Sequence, residues 1–238
     1  MQEIIRLDLE TVNCYLLPVK NGFILVDTGG FTFQGDPTDD KCKLLENKLI
    51  ENGCVPGTLL LVILTHGDVD HSANCKFLQE KYNVKIVLHK MDLELTRDLT
   101  VEKVLRNFKF KSKIYTIVSI IMSSLIKKAT KKIVESFVSF NVDEFIDEEY
   151  NLLQYNLNAK IVYLPGHTNG YIGILLDDGN LISGDIFANV KKPSNAMNAL
   201  NFSLLNESIL KLKNMNIKNI YPGHGTPFMF SELLNIDK

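Results

Sequence analysis

The sequence has no long apolar run. Its most hydrophobic stretch, residues 114–126, is only 13 residues long and is followed at once by Lys127, Lys128, Lys131 and Lys132. A bilayer-spanning helix needs about 20 apolar residues, so the pattern predicts a buried or interfacial helix and no stable membrane span. The first ten residues carry charges where a secretory signal needs an apolar core, and the cytoplasm is the expected location. Charge of one sign is also missing. The net charge is −2, which gives no electrostatic footprint for nucleic acid. Four cysteines, Cys14, Cys42, Cys54 and Cys75, include no pair at C-x-x-C spacing, so the expectation is free thiols and no structural zinc knot. Residues 91–149 contain neither glycine nor proline.

What is present is strand–helix alternation on both sides of that segment. EIIRLDL, VNCYLLPV and GFILVDTG read as short strands, residues 37–53 as a helix with Leu44, Leu45, Leu49 and Ile50 on one face, and LLLVILT (59–65) as a strand buried on both sides. Ser72 reads as the cap of a helix running to about Tyr82, and VKIVLH (84–89) as the next strand. After 149, strands return at AKIVYLPG, YIGILLDD and NLISGD, then a helix over 203–214 and a last strand, KNIYPG. The pattern predicts an α/β layered fold, with 238 residues in a single domain and 91–149 as a helical insertion of two or three helices. The apolar residues of that insertion (Leu105, Phe108, Phe110, Ile114, Ile117, Ile120, Ile121, Leu125, Phe137 and Phe140) exceed what a small cap needs for its own packing. A cap packed on the domain, a hydrophobic wall over a substrate, and a homodimer interface all remain open for them. Lys127, Lys128, Lys131 and Lys132 read as a solvated face first, with an anion or membrane contact as the alternative.

Polar residues collect where the strands stop. LLLVILT runs into THGDVDH, which places His66, Asp68, Asp70 and His71 on one short loop. AKIVYLPG stops at His167, NLISG at Asp185 and KNIYPG at His224. Four of the five histidines therefore follow strands within glycine-containing turns. A lone histidine is usually structural, as His89 reads here; a set placed alike reads as metal ligands. Imidazole and carboxylate suit zinc, iron and manganese. Two such ions can share a hydroxide that is nucleophilic at neutral pH. Three carboxylates offset the charge of two divalent cations.

These residues resemble the metallo-β-lactamase superfamily. The family loop T-H-x-H-x-D-H corresponds to Thr65-His66-Gly67-Asp68-Val69-Asp70-His71. The later markers are Pro165-Gly166-His167-Thr168, Ser183-Gly184-Asp185 and Pro222-Gly223-His224-Gly225, and Asn13-Cys14-Tyr15 and Asp27-Thr28-Gly29 fit as well. The resemblance implies a four-layer αββα sandwich with two divalent metal ions at one edge, zinc first among them. It implies His66, position 68 and His167 at the first ion, Asp70, His71 and His224 at the second, Asp185 bridging both, and Asp27 supporting the loop without touching metal. It also implies hydrolysis of a small ester-like substrate (lactone, thioester, ester or phosphoester), with Asp70 orienting the nucleophile or accepting a proton.

Asp68 departs from the family, which has histidine there. It ligates directly, binds through a water, or leaves the first site weak. Direct ligation gives each ion two histidines and extra carboxylate, a donor set in which iron or manganese competes with zinc. The same position is Glu in flavodiiron oxidoreductases, so a di-iron redox protein is the rival reading, although those proteins carry a flavodoxin domain and this chain ends 14 residues after His224. A non-catalytic metal-binding role is the third. Tyr171, four residues after His167, reads as a packing residue near the metals or as a substrate or oxyanion contact, and Asn198, Asn201 and loop 186–199 are placed near the mouth by position alone.

Overall fold

A computed structural model describes residues 2–30, 41–106 and 109–234. The chain opens with β1 (Ile5–Asp8), β2 (Asn13–Val19) and β3 (Gly22–Val26), then α1 (Lys41–Glu51) and β4 (Leu59–Ile63). Next come α2 (Val69–Ser72), α3 (Cys75–Tyr82) and β5 (Lys85–Leu88). Four helices follow, α4 (Glu94–Arg97), α5 (Val101–Arg106), α6 (Lys113–Ile121) and α7 (Ser123–Ser136), and then β6 (Glu144–Phe145). The second half holds β7 (Ala159–Tyr163), β8 (Ile172–Leu176), β9 (Asn180–Asn189) and β10 (Ser194–Asn195). It closes with α8 (Phe202–Lys213), β11 (Asn219–Gly225), β12 (Phe228–Met229) and α9 (Phe230–Leu234).

The strands form two mixed sheets. One runs β1-β2-β3-β4-β5-β6; the other runs β12-β11-β9-β8-β7, with β10 paired to β9. Side-chain alternation divides each strand between two environments. Leu17, Ile24, Leu61 and Ile63 of the first sheet meet Ile161, Ile172, Ile174 and Ile182 of the second, which forms the core between the sheets. The other residues of the same strands, Leu16, Leu25 and Val62, pack against Leu45 and Leu49 of α1 and Leu78 of α3. On the far side Leu175 and Leu181 pack under Leu205, Ile209 and Leu212 of α8. The result is the expected αββα sandwich.

Several local expectations shift. Residues 37–40 of the first helix and Phe108 lie outside the described residues; within the helix Leu45 and Leu49 are buried while Ile50 is half exposed. Ser72 ends α2 instead of capping α3, because its Oγ donates to the carbonyls of Gly67 and Asp68. The glycine-free segment holds four helices and a short strand, β6, that extends the first sheet beside β5. Phe140 of that segment is buried, as is Ile133 of α7, but α6 has no buried residue at all, so of the two expectations for it, buried or interfacial, the buried one does not hold. All four cysteines are free thiols, and among the described residues no helix is long and apolar enough to cross a membrane.

Ile174 is fully buried between the sheets. Truncation to Ala removes three carbons from a site that cannot collapse, and should lower unfolding stability by about 2–5 kcal/mol, read from the denaturant midpoint at unchanged slope.

Candidate metal centre

The centre is assembled at the ends of the central strands. Beyond β4 the backbone of Thr65 donates to Asp27 Oδ1 (2.8 Å), which joins the turn after β4 to the turn after β3. His66 follows, and α2 then carries Asp70 and His71. Asp185 and His224 are not at strand ends as the sequence suggests. They lie inside β9 and β11, where the parallel ladder between these strands shifts register around Pro222 and His224. Gly184 makes the turn in β9 at φ +50°, and a Cβ there would collide with the Tyr171 hydroxyl and Thr65 Oγ1. Gly223 has no room for a side chain either, because Asp185 Oδ1 and His71 Cε1 occupy that space. The Asn13 amide donates to the carbonyls of Pro222 (2.8 Å) and Gly225 (2.6 Å), and the Tyr15 hydroxyl to that of Pro222 (2.6 Å). This is the physical content of the Asn13-Cys14-Tyr15 motif: it anchors the turn that carries His224.

Each histidine has one ring nitrogen committed to the protein. His71 Nδ1 lies 2.9 Å from Asp27 Oδ2 and donates to it. The Thr65 hydroxyl gives its single proton to the Asp27 carboxylate (2.9 Å), so it accepts from His66 Nδ1 at 2.9 Å. His167 Nδ1 donates to the Asn198 carbonyl (3.1 Å) and His224 Nδ1 to that of Thr11 (2.5 Å). These bonds fix the ring orientations and turn all four Nε2 atoms toward one another, the side on which a metal ion would be held.

The donor atoms fall into two groups that share one carboxylate. Ligand atoms of Asp70, His71, Asp185 and His224 all lie within 4.8 Å of one another, and so do those of His66, His167 and Asp185. His71 Nε2 is 3.1 Å from Asp185 Oδ1, His224 Nε2 is 3.2 Å from Asp185 Oδ2, and Asp70 Oδ2 is 3.4 Å from His224 Nε2. Asp68 stands beside the second group: its Oδ2 is 3.2 Å from His167 Nε2 and 3.6 Å from His66 Nε2. All seven sequence-derived residues are thus brought together. The fit to metal rests on buried atoms: His66, His71 and His167 Nε2 and Asp185 Oδ1 are enclosed yet make no hydrogen bond, the His71–Asp185 approach being a close contact without alignment. Orphaned lone pairs facing one another are costly unless a cation takes them.

Electrostatics agree. Burial opposes protonation of His66, and the neighbouring His71 and His167 depress it further. Burial also opposes protonation of His71 and His224, but Asp185 above all outweighs it and raises both. Burial would raise Asp70 and Asp185, and the adjacent His71 and His224 pull both below the usual carboxylate range. The site therefore holds ionised carboxylates that pull protons onto His71, His167 and His224, positive charge that a bound metal ion would supply in their place.

Two residues take roles that the motifs did not assign. Tyr171 is fully buried, so it contacts no substrate. Its hydroxyl donates to the Ser183 carbonyl (2.8 Å) and accepts from the backbone N–H groups of Asp185 and Ile186 (3.0 Å to the latter), which fixes the backbone under Asp185. Its ring packs on those of His66 and His167. Asp92 was not foreseen. Its carboxylate accepts from Gly67 N (3.1 Å), Thr168 Oγ1 (2.6 Å) and Gly170 N (2.7 Å), and so ties the loop of Asp68 to the loop of His167. Burial pushes its pKa up to about 6 against these three donors. His89 is structural, stacked on Tyr163 with ring centroids 4.8 Å apart. Asn201 accepts from Ser203 and Leu204 N–H at the start of α8 and is a helix cap. Asn198 lines the cleft over the centre, a space of about 600 Å³ with Leu95, Leu99 and Val104 on one side and Arg6 and Lys191 at its rim.

A family model for the metallo-beta-lactamase superfamily matches residues 7–224. A search of curated proteins finds no match. Among solved structures, the metallo-beta-lactamase family protein TTHA1429 of Thermus thermophilus superposes with a TM-score of 0.65 at 20% identity, over 96% of this chain and 74% of that one. TTHA1623, solved in a di-iron-bound form, gives 0.60 at 20% identity over 92% and 90%. The B3 metallo-beta-lactamase BLEG-1 gives 0.64 at 17% identity over 100% and 97%. At these identities the likeness establishes the fold.

Replacing Asp92 by Ala strands three buried donors, and replacing it by Asn keeps one acceptor oxygen. Metal affinity measured by chelator competition should fall about 10–100-fold in Asp92→Ala and less in Asp92→Asn. Equal affinity in all three proteins would remove Asp92 from the support of the site.

Proposed function

We propose that this chain, which belongs to the metallo-beta-lactamase superfamily, is a hydrolase that uses two divalent metal ions on a small ester-like substrate. The observation that carries this reading is the convergence of four histidine Nε2 atoms, each with its Nδ1 tied back to the protein, on one shared carboxylate. His66, His167 and Asp68 would hold one ion and Asp70, His71 and His224 the other, with Asp185 common to both sets. Ions held there lower the pKa of water and polarise the substrate electrophile.

The protein's own groups supply orientation and proton handling. Asp70 is partly open to the cleft and held ionised by His71 and His224; it orients the attacking water and accepts its proton. Leu95, Leu99 and Val104 form an apolar wall that excludes water from one side of the cleft. In this reading residues 91–149 are a cap built into the domain. A cleft of about 600 Å³ suits a small molecule. A cytoplasmic setting, where the four thiols stay reduced, belongs to the same reading.

The test is a panel of lactones, thioesters, esters and phosphodiesters, with metal content measured on the same samples. Wild type should turn over one class and carry metal. Asp185→Ala and His66→Ala should lose both turnover and stoichiometric metal; full activity in either variant sinks the assignment.

Metal identity has a specific observation behind it. Asp68 brings a third carboxylate to the histidines of one group, and harder donors favour iron or manganese beside zinc; the di-iron form of TTHA1623 supports the same reading. Protein purified without added metal should contain iron or manganese, and Asp68→His should move its content toward zinc. Two equivalents of zinc alone in both proteins would defeat this reading.

A further inference from the structure

We propose that the α6–α7 segment docks this protein on an anionic lipid surface. Ile114, Ile117, Val118, Ile121 and Leu125 recur at i, i+3, i+4, i+7 and i+11, the spacing of a single helical face. In an ordinary surface helix that face turns inward. Here it turns to solvent: Ile114 is 72% and Ile121 77% exposed, and none of the nine residues of α6 is buried. Tyr115 and Ile120 are exposed as well, so apolar side chains reach solvent nearly all round the helix, with Thr116 and Ser119 the polar positions between them.

Charge identifies what covers this face. Residues 109–134 carry seven of the chain's 26 basic side chains and none of its 28 acidic ones, which leaves −9 for the rest of a chain whose total is −2. The lysines flank the apolar face: Lys113 opens α6, and Lys127, Lys128, Lys131 and Lys132 run exposed along α7. Among the described residues only Lys131 has an acidic neighbour in the helix, Glu135 at 3.7 Å. An exposed apolar face bordered by lysines matches a lipid surface, where the apolar side chains enter the acyl boundary and the lysines meet anionic headgroups. A second copy of the chain fits less well, since a two-fold interface pairs a patch with itself and would set these lysines against their own equivalents. The face is not a substrate wall either, because no residue of α6 or α7 is among those that line the cleft.

The segment starts beside the cleft of the metal centre. The Lys109 carbonyl accepts from Ala199 N (3.0 Å), and Phe110 bridges to Asn198, whose own carbonyl takes the His167 Nδ1 proton. Contact with lipid would therefore be made next to the mouth of the site.

Sedimentation of the full chain with phosphatidylcholine vesicles, with and without phosphatidylglycerol, tests this. Wild type should pellet with the mixed vesicles, hardly at all with phosphatidylcholine alone, and less as salt rises. Lys127→Glu and Lys131→Glu should each weaken binding at least about fivefold. Ile117→Asp with Ile121→Asp should abolish it while circular dichroism and metal content stay unchanged, since both positions are exposed. Failure of wild type to pellet with mixed vesicles overturns the proposal. So does undiminished binding of the double apolar variant, which would leave only non-specific attraction. A dimer in light scattering that the double variant dissolves would assign the face to a second copy and also overturn it.

Discussion

The carboxylate of Asp27 connects the two halves of the metal centre before any ligand is considered. It is buried, sits on a backbone with φ +60°, and takes the Thr65 N–H, the Thr65 hydroxyl and His71 Nδ1–H. A non-glycine residue in the left-handed region costs conformational free energy, and a buried charge costs more unless its lone pairs are filled. Both costs are met by the same three donors. The consequence reaches past Asp27: through the Thr65 hydroxyl it sets the ring orientation of His66, and directly it sets that of His71, one histidine from each metal group. Neither imidazole can rotate its Nε2 out of the site without breaking a bond to this carboxylate or to the hydroxyl it holds.

Support of this kind is repeated around the centre. Asp92 holds the Asp68 and His167 loops together, Tyr171 holds the backbone under Asp185, and Asn13 with Tyr15 holds the turn of His224. These supports join segments distant in sequence, and those of Asp92, Asn13 and Tyr15 cross between the two sheets or their connecting loops. The sandwich matters for chemistry for that reason. Its two sheets are fixed against each other by the Ile24–Ile63–Ile174 core, and that fixed relation keeps the donors of one sheet within reach of the donors of the other.

Most of the frame was legible from the chain alone because its signals are local. LLLVILT announces a buried strand by its unbroken apolar run, and the polar loop after it announces His66, Asp68, Asp70 and His71. Asp185 and His224 were legible as ligands but misplaced as strand ends: glycine after a strand reads as a stop, whereas here Gly184 and Gly223 permit a register shift inside strands that continue to Asn189 and Gly225. Asp92 was not legible. It sits in a stretch without glycine, motif or ligand neighbour, and its role appears only when Gly67, Thr168 and Gly170 arrive from 25, 76 and 78 residues away. The 114–126 stretch misled in another way. Hydropathy cannot tell an apolar face that packs from one left outside, because the difference lies in whether a neighbouring element reaches it.

Asp68 shows how far the donor set constrains function and where it stops. Carboxylate in place of imidazole adds negative charge beside His66 and His167 without moving the shared Asp185, so it changes which ion is preferred more than what a bound ion does to water. Hydrolysis depends on two cations near one cleft, a requirement the geometry meets with either donor. The cleft is lined by charged side chains, Arg6 and Lys191 among them, and by the apolar Leu95, Leu99 and Val104. The cysteines lie elsewhere: Cys14, Cys54 and Cys75 are enclosed on the α1–α3 side of the first sheet, where burial raises their thiols well into the protonated range. In the proposed reading a carboxylate at position 68 therefore bears on which ion is held, and the hydrolytic use of water rests on the other six residues.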